Sequence, residues 1–163
     1  MTGKISAGIL VFRRVPGSIQ FLLVHPGGPY WNDRDIGAWS IPKGLAEPDD
    51  DSLLRVALRE FSEETGIDVT EISPDVLMTL FDIGQVTQKS GKVVYAWAME
   101  LNVPTETMDS NLFDMEYPKG SGITRKFPEV DKHEYFDEKT AKEKINPAQI
   151  PFIDRIISKT KNI

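Results

Sequence analysis

The chain opens with two runs rich in aliphatic and β-branched residues, "ISAGILVFRR" at 5–14 and "IQFLLVHP" at 19–26, joined by the Pro-Gly turn signal "VPGS". That pattern predicts a β-hairpin. Residues 27–39, "GGPYWNDRDIGAW", are rich in Gly, Asp and aromatics and predict a loop, after which "WSIPKG" reads as a short strand stopped by Pro42. The period then changes. Leu54, Ala57, Leu58 and Phe61 recur at helical spacing and predict a helix from about Ser52 to Thr65, with Gly66 placed to end it in the left-handed conformation and Ile67 as the apolar residue beyond.

Further on, "VLMTLFDIGQVTQKSGKVVYAWAMEL" predicts two strands joined at "KSGK". In the second, Val94, Ala96 and Ala98 alternate with Tyr95, Trp97 and Met99, so both faces of that strand are expected to be covered. Residues 102–131 form a long polar segment with two prolines before its "GSG", which predicts a functional or mobile loop. "DEKTAKEKI" and "PAQIPFIDRIISKT" predict two helices, with Pro147 near the start of the second. Mixed elements in this order indicate one α/β or α+β domain with helices packed on a sheet.

At 163 residues the chain suits a single domain, residues 1–163, burying roughly 70% of its unfolded surface. It has no cysteine, which excludes disulfides and thiolate metal sites and suits a reducing compartment. The first residues lack a signal-peptide pattern and no apolar run reaches a membrane span, so a soluble cytoplasmic protein is the expectation. The formal charge of −6 and pI near 5.0 argue against holding nucleic acid by phosphate neutralisation. A small anion remains accessible if a metal accompanies it.

The segment "REFSEETGI" at 59–67 carries the most chemistry. At about 100° per residue, Glu60, Glu63 and Glu64 fall within a sector of roughly 100°, and the apolar face centres about 110° away. Like charges at this spacing cost a few tenths of a kcal/mol per pair, and the helix dipole disfavours anions near a C-terminus. A hard divalent cation such as Mg²⁺ offsets that repulsion through oxygen ligands. An ordinary solvated acidic face, with Arg59 and Glu63 as an i, i+4 pair, fits the same residues.

The longer stretch "GLAEPDDDSLLRVALREFSEETGI" resembles the signature of the Nudix hydrolase family: Gly, five residues, Glu, seven residues, Arg-Glu, an apolar residue, any residue, Glu-Glu, any residue, Gly and an aliphatic residue. Arg59 to Ile67 match its C-terminal half throughout, and "WSIPKG" and the first hairpin resemble the usual lead-in. The box spans about 44–67. Its N-terminal half departs from the pattern: counting forward from Gly44 the Glu slot falls on Asp50, and counting back from Arg59 it falls on Asp51. Asp51 and Ser52 also suit a helix N-cap.

The resemblance implies an α/β/α sandwich with a mixed β-sheet and a pyrophosphohydrolase dependent on Mg²⁺ or Mn²⁺. The substrate it implies is a nucleoside diphosphate linked to another moiety, or a related nucleotide diphosphate. Glu60, Glu63 and Glu64 are then the expected metal ligands and catalytic groups, with Arg59 orienting a glutamate and the Lys43 carbonyl as a further ligand. An acidic residue before the C-terminal helix often joins them; among Glu129, Asp131 and Glu134, the aromatic pair Tyr135 and Phe136 favours Glu129. Lys43, Arg34 and Arg125 are candidates for phosphate. Trp39, with Tyr30 and Trp31, is a candidate for stacking on a base, although aromatics also fill cores. His25 fits a hydrogen-bonded structural role. A dinucleoside polyphosphate or an oxidised nucleoside triphosphate are alternative substrates, and a non-catalytic nucleotide-binding module is the alternative class. A Ca²⁺-binding loop of twelve residues with its central Gly is not visible.

Overall fold

The computed structural model describes residues 4–72 and 74–161. Strands β1 (Ile5–Val15) and β2 (Ser18–Pro26) form the expected hairpin, turning at Gly17 with φ 75°. The two strands pair from Phe12↔Phe21 to Val15↔Ser18 and then diverge. Into the gap comes β3 (Lys43–Leu45), which pairs with Ser6, Ala7 and Gly8 of β1, while Ser40 bridges to Val24 of β2. The short strand expected at 39–44 therefore begins beyond Pro42 instead of stopping at it. Pro42 has no N–H to give, but its carbonyl accepts the Ile9 N–H at 3.1 Å.

Helix α1 (Leu53–Thr65) follows, capped by the Ser52 side chain on the Arg55 N–H. Its buried face centres on Val56, Ala57 and Phe61, with Leu53 and Leu58 at the margins. The core stripe is thus turned slightly from the expected one, and Leu54 lies outside the cluster. Two short helices, α2 (Val69–Ile72) and α3 (Pro74–Met78), lead to β4 (Phe81–Thr87) and β5 (Val93–Glu100). Strand β5 runs parallel to β1 over eight register pairs, and among the described residues every other strand pairing in the sheet is antiparallel.

The polar segment at 102–131 is more ordered than its composition predicts. It holds a two-stranded hairpin of β6 (Leu112–Glu116) and β7 (Thr124–Pro128), in which Phe113 lies opposite Phe127. Each strand has only two partly buried residues, Phe113 and Met115 on β6 and the adjacent Phe127 and Pro128 on β7, too few to show as a period. Strand β8 (Val130–Asp137) is equally hard to see in the sequence: only Val130 and Phe136 are fully buried, and it pairs along the outer edge of β2. Helix α4 (Glu138–Lys144) comes next. The expected second helix splits, with a 3₁₀ turn at Pro147–Gln149 preceding α5 (Ile150–Thr160).

The main sheet runs β4-β5-β1-β2-β8, with β3 on β1. Alternation on β1 sends Ala7, Ile9 and Val11 toward α1, and Leu10 and Phe12 toward α4 and α5, where Ala141, Phe152, Ile153 and Ile156 meet them. Both faces are covered, giving the α/β/α sandwich. On β5, Val94, Ala96 and Ala98 join the α5 side while Trp97 and Met99 join the α1 side, as the alternation predicts. Among the described residues no helix is long and apolar enough to cross a membrane.

Gly66 ends α1 at φ 75°, its N–H returning to the Ser62 carbonyl, and a Cβ there would lie 2.9 Å from the Asp109 carbonyl oxygen. Left-handed backbone costs a non-glycine residue roughly 1–2 kcal/mol, and the Asp109 contact adds to it. Gly66→Ala is expected to destabilise the fold by at least that amount, read as a lowered urea midpoint. An unchanged midpoint would show that the helix end re-forms without strain.

Candidate active site

Carboxylate oxygens of Glu60, Glu64 and Glu129 lie within 4.8 Å of one another. The two from α1 are one turn apart, and Glu129 arrives from the junction of β7 and β8. Three contacts hold the helix to the sheet here. The Glu60 carboxylate rests on Gly44, where a Cβ would sit 2.0 Å from its Cδ. The Lys43 N–H donates to Glu64 Oε1 at 3.3 Å, and His133 Nε2, on β8, lies 2.6 Å from the Glu64 carbonyl. A carbonyl only accepts, so that ring nitrogen carries the proton.

The main chain of Asn111 ties the remaining pieces together. Its N–H donates to the Glu63 carbonyl (2.8 Å) and its carbonyl accepts from the Glu129 N–H (2.9 Å), while the Glu129 carbonyl accepts from the Gly27 N–H (3.0 Å). Glu63 stands beside the trio: its charge raises the pKa of both Glu60 and Glu129. Arg59 does not pair with Glu63. Its guanidinium bonds both oxygens of Asp50 at 2.6 and 3.4 Å and lies 3.7 Å from Glu60 Oε1. Asp50 Oδ2 also accepts the Glu47 N–H at 2.6 Å. Of the two aspartates competing for the departed Glu slot, Asp50 faces the helix arginine; Asp51 is exposed, and the N-cap is Ser52.

Burial dominates the electrostatics. It pushes Glu64 up to about 8 against the opposing pull of Lys43, and pushes Glu60 up to about 7 with help from Glu63. Glu129 is raised by burial and then by Glu63. Burial, followed by the charge of Lys92, lowers Lys43. Three carboxylates held together, with pKa values raised by burial, form an oxygen-rich anionic site whose chemistry fits a hard divalent cation.

A cavity of about 230 Å³ adjoins them, lined by Glu64, Glu129, Lys43, Lys92, Trp31 and Trp39, and also by Gln88, Asn146 and Gln149. Trp39 is 3% exposed, its Nε1–H bonded to Asp35 and its ring set edge-on against His25 and Phe136. It forms wall rather than an open stacking surface; Trp31, at 39% exposure, offers more of its ring. Arg34 lies outside the lining, with its guanidinium 5.4 Å from the Trp31 ring. Arg125, on β7, also lies outside it. His25 is buried on β2 with both ring nitrogens bonded, to Asp131 (2.7 Å) and to the Arg34 carbonyl (2.6 Å), a structural arrangement that secures the 27–39 loop. Sequence reasoning missed Asn111, His133, Lys92 and the two glutamines, because nothing in their spacing marks them.

The chain belongs to the NUDIX family: residues 3–156 match the model described as NUDIX domain. Among individual proteins, it is 31% identical over 108 residues to the asymmetrical bis(5'-nucleosyl)-tetraphosphatase of Caenorhabditis elegans, a match covering 65% of this chain and 71% of that protein. The Rattus norvegicus protein of the same description is 31% identical over 104 residues, covering 59% of this chain and 64% of its own length. In fold, the chain resembles a C. elegans Ap4A hydrolase binary complex (TM-score 0.65, 18% identity, 97% of this chain and 99% of that one). It also resembles the NUDIX domain of Shewanella oneidensis NrtR complexed with ADP ribose (TM-score 0.65, 12% identity, 98% and 90%).

The raised carboxylates give a pH signature. Folded Glu60 and Glu64 titrate near 7 and 8, above the ordinary value of 4.5, so from about pH 4.5 to 8 the folded chain binds more protons than the unfolded one. Metal-free stability therefore falls as pH rises through that window. Melting temperatures taken without metal from pH 5 to 8.5 should decline, and millimolar Mg²⁺ should raise the melting temperature more at pH 8.5 than at pH 5. A metal effect independent of pH would mean the cation binds elsewhere.

Proposed function

We propose that this hydrolase of phosphoric anhydride bonds acts, with Mg²⁺ or Mn²⁺, on a dinucleoside polyphosphate or a closely related nucleotide diphosphate. One observation carries the reading: two members of a mutually repulsive carboxylate trio, Glu64 and Glu129, line the same cavity as two lysines. A polyphosphate needs cationic partners on both counts, and the similarity to the tetraphosphatases of C. elegans and R. norvegicus supplies the leaving-group class.

Glu60, Glu64 and Glu129 would hold the cation, with Glu63 and the main-chain carbonyl of Lys43 as adjoining ligands. Such a cation, when bound, supplies polarisation of phosphate oxygens and acidification of water. The chain's own residues do the rest. Lys43 and Lys92 neutralise phosphate charge, the Asp50-bound Arg59 fixes the position of Glu60, and one glutamate of the group accepts the proton of the attacking water. His133 holds the Glu64 backbone, and Trp31 lines the cavity with part of its ring exposed. Arg34, near Trp31, reaches the polyphosphate only from outside the lining. Trp39 acts as wall. A water molecule and a mononucleotide-sized leaving group are the natural small-molecule partners; a cytoplasmic location suits such a substrate and the absence of cysteine.

Glu64→Gln is expected to reduce kcat by about two to four orders of magnitude while raising the metal-free melting temperature at pH 8.5 and leaving it nearly unchanged at pH 5. Assays over a panel of dinucleoside polyphosphates, ADP-ribose and nucleoside triphosphates, with phosphate, pyrophosphate and mononucleotides separated, check the first effect, and melting curves at the two pH values check the second. Wild-type turnover in the Glu64→Gln variant would exclude the carboxylate role. Tight ADP-ribose binding with no hydrolysis of any panel member would favour a binding module.

A further inference from the structure

Part of the cavity wall is organised by one buried side chain. Gln149 is 0% exposed and its amide is fully committed: Oε1 accepts the Ile41 N–H at 3.0 Å, and Nε2 donates to Ser40 Oγ at 3.1 Å and to Gln88 Oε1 at 2.9 Å. This orientation is forced. A backbone N–H only donates, so the atom facing Ile41 must be the carbonyl oxygen. Ser40 directs its own proton to the Ile41 carbonyl at 2.7 Å, the shorter of its two acceptor contacts, which leaves Oγ free to accept.

The consequence passes to Gln88. Approached by the NH₂ of Gln149, it must answer with its oxygen, so its own NH₂ is turned away from Gln149. Gln88 lines the cavity at the β4–β5 turn, where its N–H donates to the Lys92 carbonyl at 2.8 Å, placing the amide and the lysine on one short turn. On the same wall, Asn146 commits its Oδ1 to the Ala148 N–H at 3.0 Å and keeps its NH₂. Gln88, Asn146 and Lys92 make a wall of donors, to which Lys43 adds one beside Glu64. An anion satisfies such a wall; a nucleobase, which presents donors as well as acceptors, does not match it.

Resting on the function above, we propose that Gln88 is a specificity-determining residue whose NH₂, held outward by Gln149 as a positioning residue, donates to a phosphate oxygen of the substrate beyond the carboxylate trio. Gln88 then favours longer phosphate chains over a single diphosphate. The contact is made equally to bound substrate and transition state, so its loss falls on KM.

The test is a double-mutant cycle on the best polyphosphate substrate with Mg²⁺. Gln88→Leu is expected to raise KM about tenfold, about 1.4 kcal/mol and the scale of one hydrogen bond. Gln149→Met keeps the volume but releases Gln88, so in that background Gln88→Leu should raise KM less than about threefold. A purely structural Gln149 would lower the melting temperature and leave the tenfold factor intact in both backgrounds, which overturns its positioning role. No change in KM for Gln88→Leu overturns the whole inference. If Gln149→Met does not fold, the side-chain amide protons of Gln88 in the wild-type protein decide: inorganic pyrophosphate with Mg²⁺ should shift them and adenosine should not. No shift, or a shift with adenosine alone, sinks the phosphate contact. That titration needs no turnover, so it fails or succeeds independently of the proposed hydrolysis.

Discussion

The carboxylate of Glu60 occupies the space that a side chain on residue 44 would fill, and this contact sets the distance between α1 and the strand beneath it. Only glycine permits the approach. It can happen because β1 and β2 separate beyond their shared turn and admit residues 40–45 between them, so the backbone of Lys43 and Gly44 lies directly under the acidic face of the helix. The Lys43 N–H then bonds Glu64 as Gly44 supports Glu60, and two carboxylates one turn apart are held by one dipeptide. Any residue wider than glycine would lift the helix, and the trio with Glu129 would open.

Holding the carboxylates together has an electrostatic cost that the fold distributes. Burial raises Glu60 and Glu64, and mutual repulsion adds to it. The neighbouring cations relieve this unevenly: Arg59 sends its strongest bonds to Asp50, and Lys43 is itself disfavoured by burial and by Lys92. Rigid main-chain anchors resist the repulsion instead. Asn111 bonds Glu63 and Glu129, Gly27 bonds Glu129, and His133 bonds Glu64. Strand β8 and the segment leading into β6 are therefore part of the site. Three carboxylates held this close have the oxygen-rich chemistry that fits a hard divalent cation.

The helix and its three glutamates were legible because helical period and charge repulsion are local properties, readable within a few turns. So were the hairpin, the αL stop at Gly66 and the two-sided burial of β5. The apolar stripe was slightly misplaced, since Leu53 and Leu54 are equivalent by composition and only the sheet chooses between them. Strands β6, β7 and β8 were hidden by their exposed polar residues, because an edge strand and a small separate hairpin bury too little to show a period. Asp50 was one of two candidates left by counting, and the loop's path decided for it by bringing its oxygens to Arg59.

The sequence by itself determined the family signature, the acidic face of α1, the glycines at 44 and 66 and the absence of thiol chemistry. Each depends on neighbours along the chain or on composition. Tertiary structure brings Glu129, the one of three acidic candidates that the resemblance favours, to Glu60 and Glu64, and it alone decided that Trp39 is wall while Trp31 is open and that Lys43, Lys92 and the Gln88–Gln149 pair share one cavity. Those groups come from α1, β3, the β4–β5 turn, the β7–β8 junction and the turn before α5. Their spacing in sequence carries no record of that meeting, because it is produced by strand pairing and by the packing of two helical layers on opposite faces of one sheet.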